Sequence, residues 1–194
     1  MESDPHVTVA SKVRSVTDSG ESPYRALGAR VEVRPITPED QDQLIRLARE
    51  SVELHSPWIN APATASAFET TLARFDGQNA MGFVVCRAGT GVIAGFINLN
   101  EIVRGPYLRG VLGYGAFAPS AGQGYMREGL ELVVQIAFGP LGLHRLEADI
   151  QASNERSLNL AKRLGFRREG FSPDFICING VWTDHERWAL TKTD

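Results

Sequence analysis

Cysteine is scarce in this 194-residue chain: Cys86 and Cys177 are its only two, and neither stands in a Cys-x-x-Cys pair or a Cys/His ligand spacing. Metal and redox chemistry therefore have no recognisable ligands, and both thiols are expected to be buried and reduced. Long apolar runs are missing as well. Nothing approaches the ~18 to 20 residues that a membrane helix needs, and Met1 to Gly20 is polar, without the hydrophobic centre of a signal peptide. The expectation is a cytoplasmic protein with no membrane partner. Charge of one sign is also lacking: the formal net charge is -3 and the basic residues are dispersed, which excludes the footprint of a nucleic-acid binder. There is no internal repeat and no low-complexity tract.

What is present reads as one domain preceded by an arm. Residues 1–28 are rich in Ser, Asp, Glu, Val and Thr without a clear period, and form a candidate mobile arm or added strand left out of the core. The domain proper spans 29–194. Val31, Val33 and Pro35 alternate with Glu32 and Arg34 as a half-buried strand, and Thr37-Pro38-Glu39-Asp40 supplies a cap, a first-turn proline and acids for a helix to about Glu50. Ala67, Phe68, Leu72 and Phe75 predict a second, short helix. Phe83–Cys86 and Val92–Ile97 flank the Gly-rich break Ala88–Gly91 as a hairpin, and a further strand runs from Val111 to Phe117.

Met126, Leu130, Val133, Val134 and Ala137 then recur at helical spacing up to Gly139-Pro140. Leu146, Ala148 and Ile150 alternate as a strand, Glu155 to Leu164 reads as a helix stopped by Gly165, and Asn179-Gly180 joins two β-rich runs in a type I′ turn. Phe175, Ile178, Trp182, Trp188 and Leu190 supply apolar bulk, and Trp58, Phe83, Trp182 and Trp188 are expected in the core or a pocket wall. Such an order excludes a regular βα repeat. The fold class is α+β, with a mixed, mostly antiparallel sheet of about seven strands and four helices.

The segment that carries chemistry is the strand ending at Phe117, followed by Gly122-Gln123-Gly124 and a long helix. Two glycines let the backbone turn its N–H groups toward one point, and the helix N-terminus adds partial positive charge, so the junction suits a pyrophosphate. Amides from Gly122 to Arg127, through Gln123, Gly124, Tyr125 and Met126, are the candidate donors, with the Arg127 side chain beside them. The plain alternative is a tight turn. A Walker loop is excluded because Gly124-Tyr125-Met126 stands where Gly-Lys-Ser/Thr is needed, and a Rossmann fingerprint lacks its third glycine.

About thirty residues on come Asn154-Glu155-Arg156-Ser157 and Ala161-Lys162-Arg163-Leu164-Gly165-Phe166. Together the two segments resemble the GNAT acetyltransferase superfamily. Val103-Arg104-Gly105, Leu112-Gly113-Tyr114 and Asn179-Gly180-x-Trp182-x-Asp184-His185 are similar to its ribosomal-protein alanine N-acetyltransferase branch of the RimJ/RimL type, nearer to RimJ. The resemblance covers about Val31 to Leu190. It departs at Ala121 and Met126 from the usual loop residues, a change that a backbone cradle tolerates.

The resemblance implies acetyl transfer from acetyl-coenzyme A (acetyl-CoA) to a primary amine, most concretely the N-terminal α-amino group of a protein or peptide, by direct attack in a ternary complex without a metal. It places the coenzyme pyrophosphate on the glycine loop and the pantetheine arm against the backbone of Gly115, Ala116 and Phe117, beside Asn154 and Ser157. Ser157 is the candidate proton donor for the departing thiolate, against the alternative of a hydroxyl bonded to its own helix. Asn154 has a parallel alternative as an N-cap. Asp174 aligns with an acid of the RimJ-like sequences and is the candidate base; Glu101 and His55 are further relays, each weighed against a solvated surface role.

An α-amino group with a pKa near 7.7 to 8.0 needs no strong base, and mild acidity suits a cationic acceptor. His185 beside Asp184 lacks a nucleophile to form a triad, and His144 is assigned to structure. Two other functions stay open: acetylation of a small amine such as an amino sugar, polyamine or antibiotic, and a non-catalytic acyl-CoA sensor. Monomer and homodimer are both compatible with the chain.

Overall fold

The computed structural model describes residues 22–193. Its strands are β1 (Ala26–Leu27), β2 (Val31–Pro35), β3 (Met81–Arg87), β4 (Ile93–Val103), β5 (Arg109–Ala116), β6 (Arg145–Gln151), β7 (Arg167–Ile178) and β8 (Val181–Thr191). The helices are α1 (Gln41–Glu50), α2 (Val52–His55), α3 (Ala65–Ala73), α4 (Tyr125–Phe138) and α5 (Glu155–Arg163). One eight-stranded sheet has the order β1-β2-β3-β4-β5-β6-β8-β7, antiparallel throughout except for β5 beside β6.

Side-chain alternation on the strands sorts the core into two layers. Phe83, Val85, Ile97, Leu99, Leu146 and Ala148 face α4 and α5, where Leu130, Val133, Ala137, Leu158 and Ala161 meet them. Val84, Cys86 and Ile93 face the other way, against Leu44, Leu47 and Ala48 of α1 and Phe68 of α3. Because both faces of β3 are covered, its sequence Met81–Cys86 is a continuous apolar run without alternation. The polar β6 face bearing Glu147, Asp149 and Gln151 alternates with buried Leu146, Ala148 and Ile150.

Among the described residues, eight strands and five helices replace the seven and four expected. The extra strand β1 pairs with β2 through Ala26↔Val33 and Leu27↔Glu32, and Ala26 is buried in the main core although it precedes the boundary drawn at residue 28. Two residues are too few to show a period. The expectation of a mobile arm for residues 1–21 lies outside the described residues. The extra helix α2 is a single turn after Ser51, whose hydroxyl donates to the Leu47 carbonyl at 2.6 Å. Positive φ at Asn179 (53°) and Gly180 (81°) agrees with a type I′ turn.

Two packing expectations fail on the β7–β8 hairpin. Trp182 is 61% exposed and Cys177 is exposed, because β7 is the edge strand and no described helix covers its tip. Cys86 is buried as expected, and burial pushes its thiol up to about 11. No helix among the described residues is long and apolar enough to cross a membrane.

The turn into α1 is fastened by an ion pair between the buried Asp40 and the half-buried Arg34. Arg34 grips Asp40 in a two-pronged fork, Nη1 to Oδ2 at 2.8 Å and Nη2 to Oδ1 at 2.6 Å, while the Thr37 amide donates to Oδ2 at 2.9 Å. Burial works against the Asp40 charge, but these donors outweigh it and hold the carboxyl below its usual value. Its stabilisation is therefore present above the unfolded-state pKa of about 3.9 and lost as pH falls through the depressed folded value. Asp40→Ala, which strands the guanidinium, is expected to lower the unfolding free energy in urea by about 3 kcal/mol at neutral pH. The difference from the parent should shrink in acid.

Candidate active site

The centre of the sheet opens where its parallel pair comes apart. β5 and β6 pair at Arg109↔Arg145, Gly110↔Leu146 and Val111↔Glu147 and no further, while β4 stays with β5 as far as Gly95↔Ala116 and β8 stays with β6 as far as Gln151↔His185. A wedge results, open at the C-terminal ends of both strands. The segment after α1 spans its mouth: His55 Nε2 lies 2.8 Å from the Ala116 carbonyl at one strand end, and Gln151 Nε2 donates to the Trp58 carbonyl at 3.2 Å at the other.

Alternation decides which main-chain groups face this wedge. The Phe117 N–H donates to Ala94 on β4, and the Leu108 carbonyl accepts from Arg145 on β6, so even-numbered residues of β5 turn toward β6. The Tyr114 N–H and C=O and the Ala116 N–H are therefore directed into the opening. Of the expected trio, Gly115 pairs with Phe96 on β4, and Phe117 donates to Ala94 on β4 and accepts from Ser120, while its ring packs in the α1/α3 layer. Of the three, Ala116 alone has its N–H directed to the opening.

Beyond β5 the chain makes a 3-10 turn, Ala118–Ser120, and enters α4 through Gly122 (φ 75°) and Gly124 (φ 83°), left-handed conformations that glycine adopts without steric cost. Among the described residues none of the six amides from Gly122 to Arg127 has an acceptor. The cradle is thus available to an anion. Side chains contribute little to it. Gln123 Nε2 donates to the Pro119 carbonyl at 3.0 Å, Met126 is buried against Gly95, and Arg127 pairs with Glu131 at 3.0 Å on the helix surface. The Tyr125 ring lies under the guanidinium groups of Arg30 and Arg87, at 5.4 and 5.7 Å.

At the C-terminal end of β6, Asn154 caps α5 by accepting the Ser157 amide at 3.1 Å. The Ser157 hydroxyl is not bonded to its own helix: it donates to the Tyr114 phenol at 2.8 Å, across 43 positions of sequence. Burial raises the Tyr114 pKa above its ordinary 10, so the phenol keeps its proton at neutral pH. Tyr114 has no motif of its own beyond the Leu-Gly-Tyr match, and only the strand register reveals its place.

The acids are distributed differently from expectation. Asp174 is exposed on β7, beyond β8 from the wedge, at a positive φ of 45° where its amide donates to Asp184. No contact joins it to Ser157 or Tyr114 among the described residues. Glu101 sits in the β4 bulge with an exposed side chain 3.7 Å from Arg109. His55 is buried and engaged by Ala116, and burial lowers its pKa, which leaves it a neutral prop. His185 is buried with Nδ1 at 2.8 Å from the Thr183 carbonyl, and Asp184 points instead to the Asp174 amide. His144 is exposed and bonds through its main chain to Leu108 and Lys192.

The carboxylate at the wedge is Asp149, which the sequence pattern did not single out. It follows the last β5–β6 pair by two residues and points to the polar face. Its side chain is 11% exposed; Arg187 Nε lies 2.6 Å from Oδ1, yet that oxygen receives no hydrogen bond. Burial raises its pKa, and the Arg187 charge pulls the other way without cancelling the effect. Asn100 Oδ1, also on the face opposite Leu99, is the other buried side-chain oxygen without a donor among the described residues.

A parallel pair that opens beside a helix N-terminus whose amides lack acceptors leaves a gap and an anion-accepting corner side by side. In agreement, the profile of the acetyltransferase (GNAT) domain matches residues 30–167, and the chain belongs to this family of acetyl-CoA-dependent N-acetyltransferases. It is 36% identical over 102 residues to the [ribosomal protein uS5]-alanine N-acetyltransferase of Escherichia coli, a stretch covering 53% of each chain, so the match spans about half of that relative. The ribosomal-protein-S5-alanine acetyltransferase of Vibrio fischeri superposes with a TM-score of 0.78 at 25% identity over 88% of this chain and 97% of that one. RimJ of Mycobacterium smegmatis, in complex with CoA-disulfide, gives a TM-score of 0.76 at 21% identity over 83% and 81% of the two chains, a likeness of fold.

Proposed function

We propose that this N-acetyltransferase acetylates the N-terminal α-amino group of a protein or peptide in the cytoplasm, a ribosomal protein being the acceptor class its relatives suggest. The observation that carries this reading is the parting of β5 from β6 after Val111↔Glu147, with a cluster of amides lacking acceptors beyond the end of β5 and the buried Asp149 carboxylate on β6. The amides of Gly122 to Arg127 would hold the coenzyme diphosphate, and Tyr114 and Ala116 would bind the pantetheine arm with their free backbone groups. The Ala116 N–H is the donor placed to polarise a thioester carbonyl.

Asp149, whose only ion-pair partner among the described residues is Arg187, and the Asn100 side-chain oxygen, which has no donor, offer acceptors to an incoming ammonium, which has three donors to satisfy. Asp149 takes its proton, and the neutral amine then attacks the carbonyl carbon. As the tetrahedral adduct collapses and the C–S bond breaks, the Ser157–Tyr114 hydroxyl pair donates a proton to the departing thiolate and is reprotonated by the proton that the acylated nitrogen sheds, with Asn154 fixing the helix turn from which Ser157 projects. Asp174, exposed on the outer hairpin, stays the alternative base that the resemblance implies.

The test is calorimetry with acetyl-CoA followed by thiol release against peptides with free and blocked N-termini and against polyamines and amino sugars. Turnover is expected with free peptide N-termini alone. Turnover confined to small amines, or tight binding without turnover on any acceptor, would overturn the proposal. Ser157→Ala is expected to lower kcat about tenfold, because the Tyr114 phenol remains, and the double variant with Tyr114→Phe about a hundredfold. In both, the acetyl-CoA affinity should stay within about twofold. A double variant with parental kcat would remove the proton-donor assignment.

A further inference from the structure

The amide cradle is held in shape from outside its own loop. In the β1–β2 turn, Gly28 N–H closes on the Val31 carbonyl at 2.8 Å and presents Arg30 to the first turn of α4. The Arg30 amide donates to Glu128 Oε1 at 2.7 Å, its Nε lies 3.1 Å from Glu128 Oε2, and its carbonyl accepts from Ala88 at 2.9 Å. A Cβ at Gly28 would stand 2.5 Å from Glu128 Oε1, so this close approach depends on glycine there. The guanidinium also lies over the Tyr125 ring. An arginine side chain that is half exposed ordinarily samples many rotamers; this one is held at its amide, at Nε and at Nη1.

Its remaining prong supplies the consequence. Arg30 Nη1 donates to the Gln123 carbonyl at 3.1 Å. In a trans peptide the C=O and the following N–H point in opposite directions. Fixing the Gln123 carbonyl toward Arg30 therefore turns the Gly124 N–H the other way, into the group of amides that have no acceptor. Glycine at 124, with φ 83°, would otherwise let this peptide plane flip at little cost.

We propose that Arg30 is a positioning residue for coenzyme binding: with Glu128 as its anchor, it sets the Gln123–Gly124 peptide so that the Gly124 amide faces the diphosphate. The role rests on the coenzyme reading of the cradle given above. It acts through a backbone amide, with no contact between the guanidinium and the 3′-phosphate of the ligand. Ala121 leaves the loop without a long polar side chain of its own at that position, so orientation is supplied from β1–β2 instead.

The experiment compares the parent with Arg30→Met and Arg30→Lys by calorimetry with CoA and dephospho-CoA, by kcat/KM with S-acetylpantetheine as donor, and by thermal melting. Both variants are expected to melt cooperatively and to bind CoA and dephospho-CoA about tenfold more weakly, with kcat/KM for the phosphate-free donor unchanged. Lysine should not recover the loss, since one ammonium cannot hold Glu128 and the Gln123 carbonyl together. An equal loss with S-acetylpantetheine would show a general structural defect, disappearance of the loss with dephospho-CoA would show a direct 3′-phosphate contact, and full recovery by lysine would show that charge alone matters; each overturns the proposal. A parent that binds neither nucleotide would instead remove the coenzyme reading beneath it.

Discussion

Gly124→Val is expected to weaken acetyl-CoA binding more than a hundredfold while the protein still folds. Valine at φ 83° is in the left-handed region, which costs a residue with a Cβ roughly 1–2 kcal/mol and a β-branched one more, and its Cβ would lie 3.0 Å from Arg30 Nη2. The loop relieves both by rotating, and rotation scatters amides that now converge. Each charge-assisted bond from an amide to a phosphate contributes roughly 1.5–3 kcal/mol, so losing two removes at least about 3 kcal/mol, or two orders of magnitude in Kd. Gly124→Asn should lose much less, because asparagine tolerates this conformation. Calorimetry on the pair separates the two outcomes. Equal affinity in the valine variant and the parent would mean that the diphosphate is held elsewhere.

The second large effect falls on proton removal. Asp149→Asn is expected to lower kcat/KM about a hundredfold, within the range that a positioned base contributes, with the Kd for acetyl-CoA unchanged. The pH profile gives the sharper readout. Burial raises the Asp149 pKa, so its basic form is present above that raised value and activity is lost as pH falls through it. The acceptor amine imposes a further rise near its own pKa of about 7.7 to 8.0. In the asparagine variant the acid limb due to Asp149 should vanish, leaving the amine limb alone. The fold should tolerate the change, since a carboxyl whose folded pKa is raised opposes folding when ionised, and Arg187 is exposed enough to remain solvated. A parental profile in Asp149→Asn would return the base to another acid, Asp174 first.

Features set by neighbouring residues are legible in the amino-acid sequence. The glycine turn into α4, the Asn154 cap three residues before Ser157, and the Asn179-Gly180 hairpin all depend on sterics and hydrogen bonds within a few positions, and each stands where expected. The amphipathic period of α4 likewise places Leu130, Val133 and Ala137 in the core. Expectation and structure part where the deciding partner is remote. β1 is a strand because β2 offers its edge, and Trp182 is exposed because the β7–β8 tip runs past the last pair with β6, Gln151↔His185. Gly115 and Phe117 give way to Tyr114 and Ala116 because the parity of β5 is fixed by its bonds to β4 and β6.

By itself, then, the amino-acid order determined most of the elements, the glycine turn into α4 and the family, since short-range geometry and periodic burial are written into adjacent residues. Tertiary structure alone decided what those elements do to one another: where β5 leaves β6, that Ser157 meets Tyr114, that Asp149 loses solvent, and that Arg30 reaches Gln123 across 93 positions. The reason is physical. Strand divergence, desolvation and a shared peptide orientation are properties of groups brought together by the fold, and they have no value in a chain whose segments are apart.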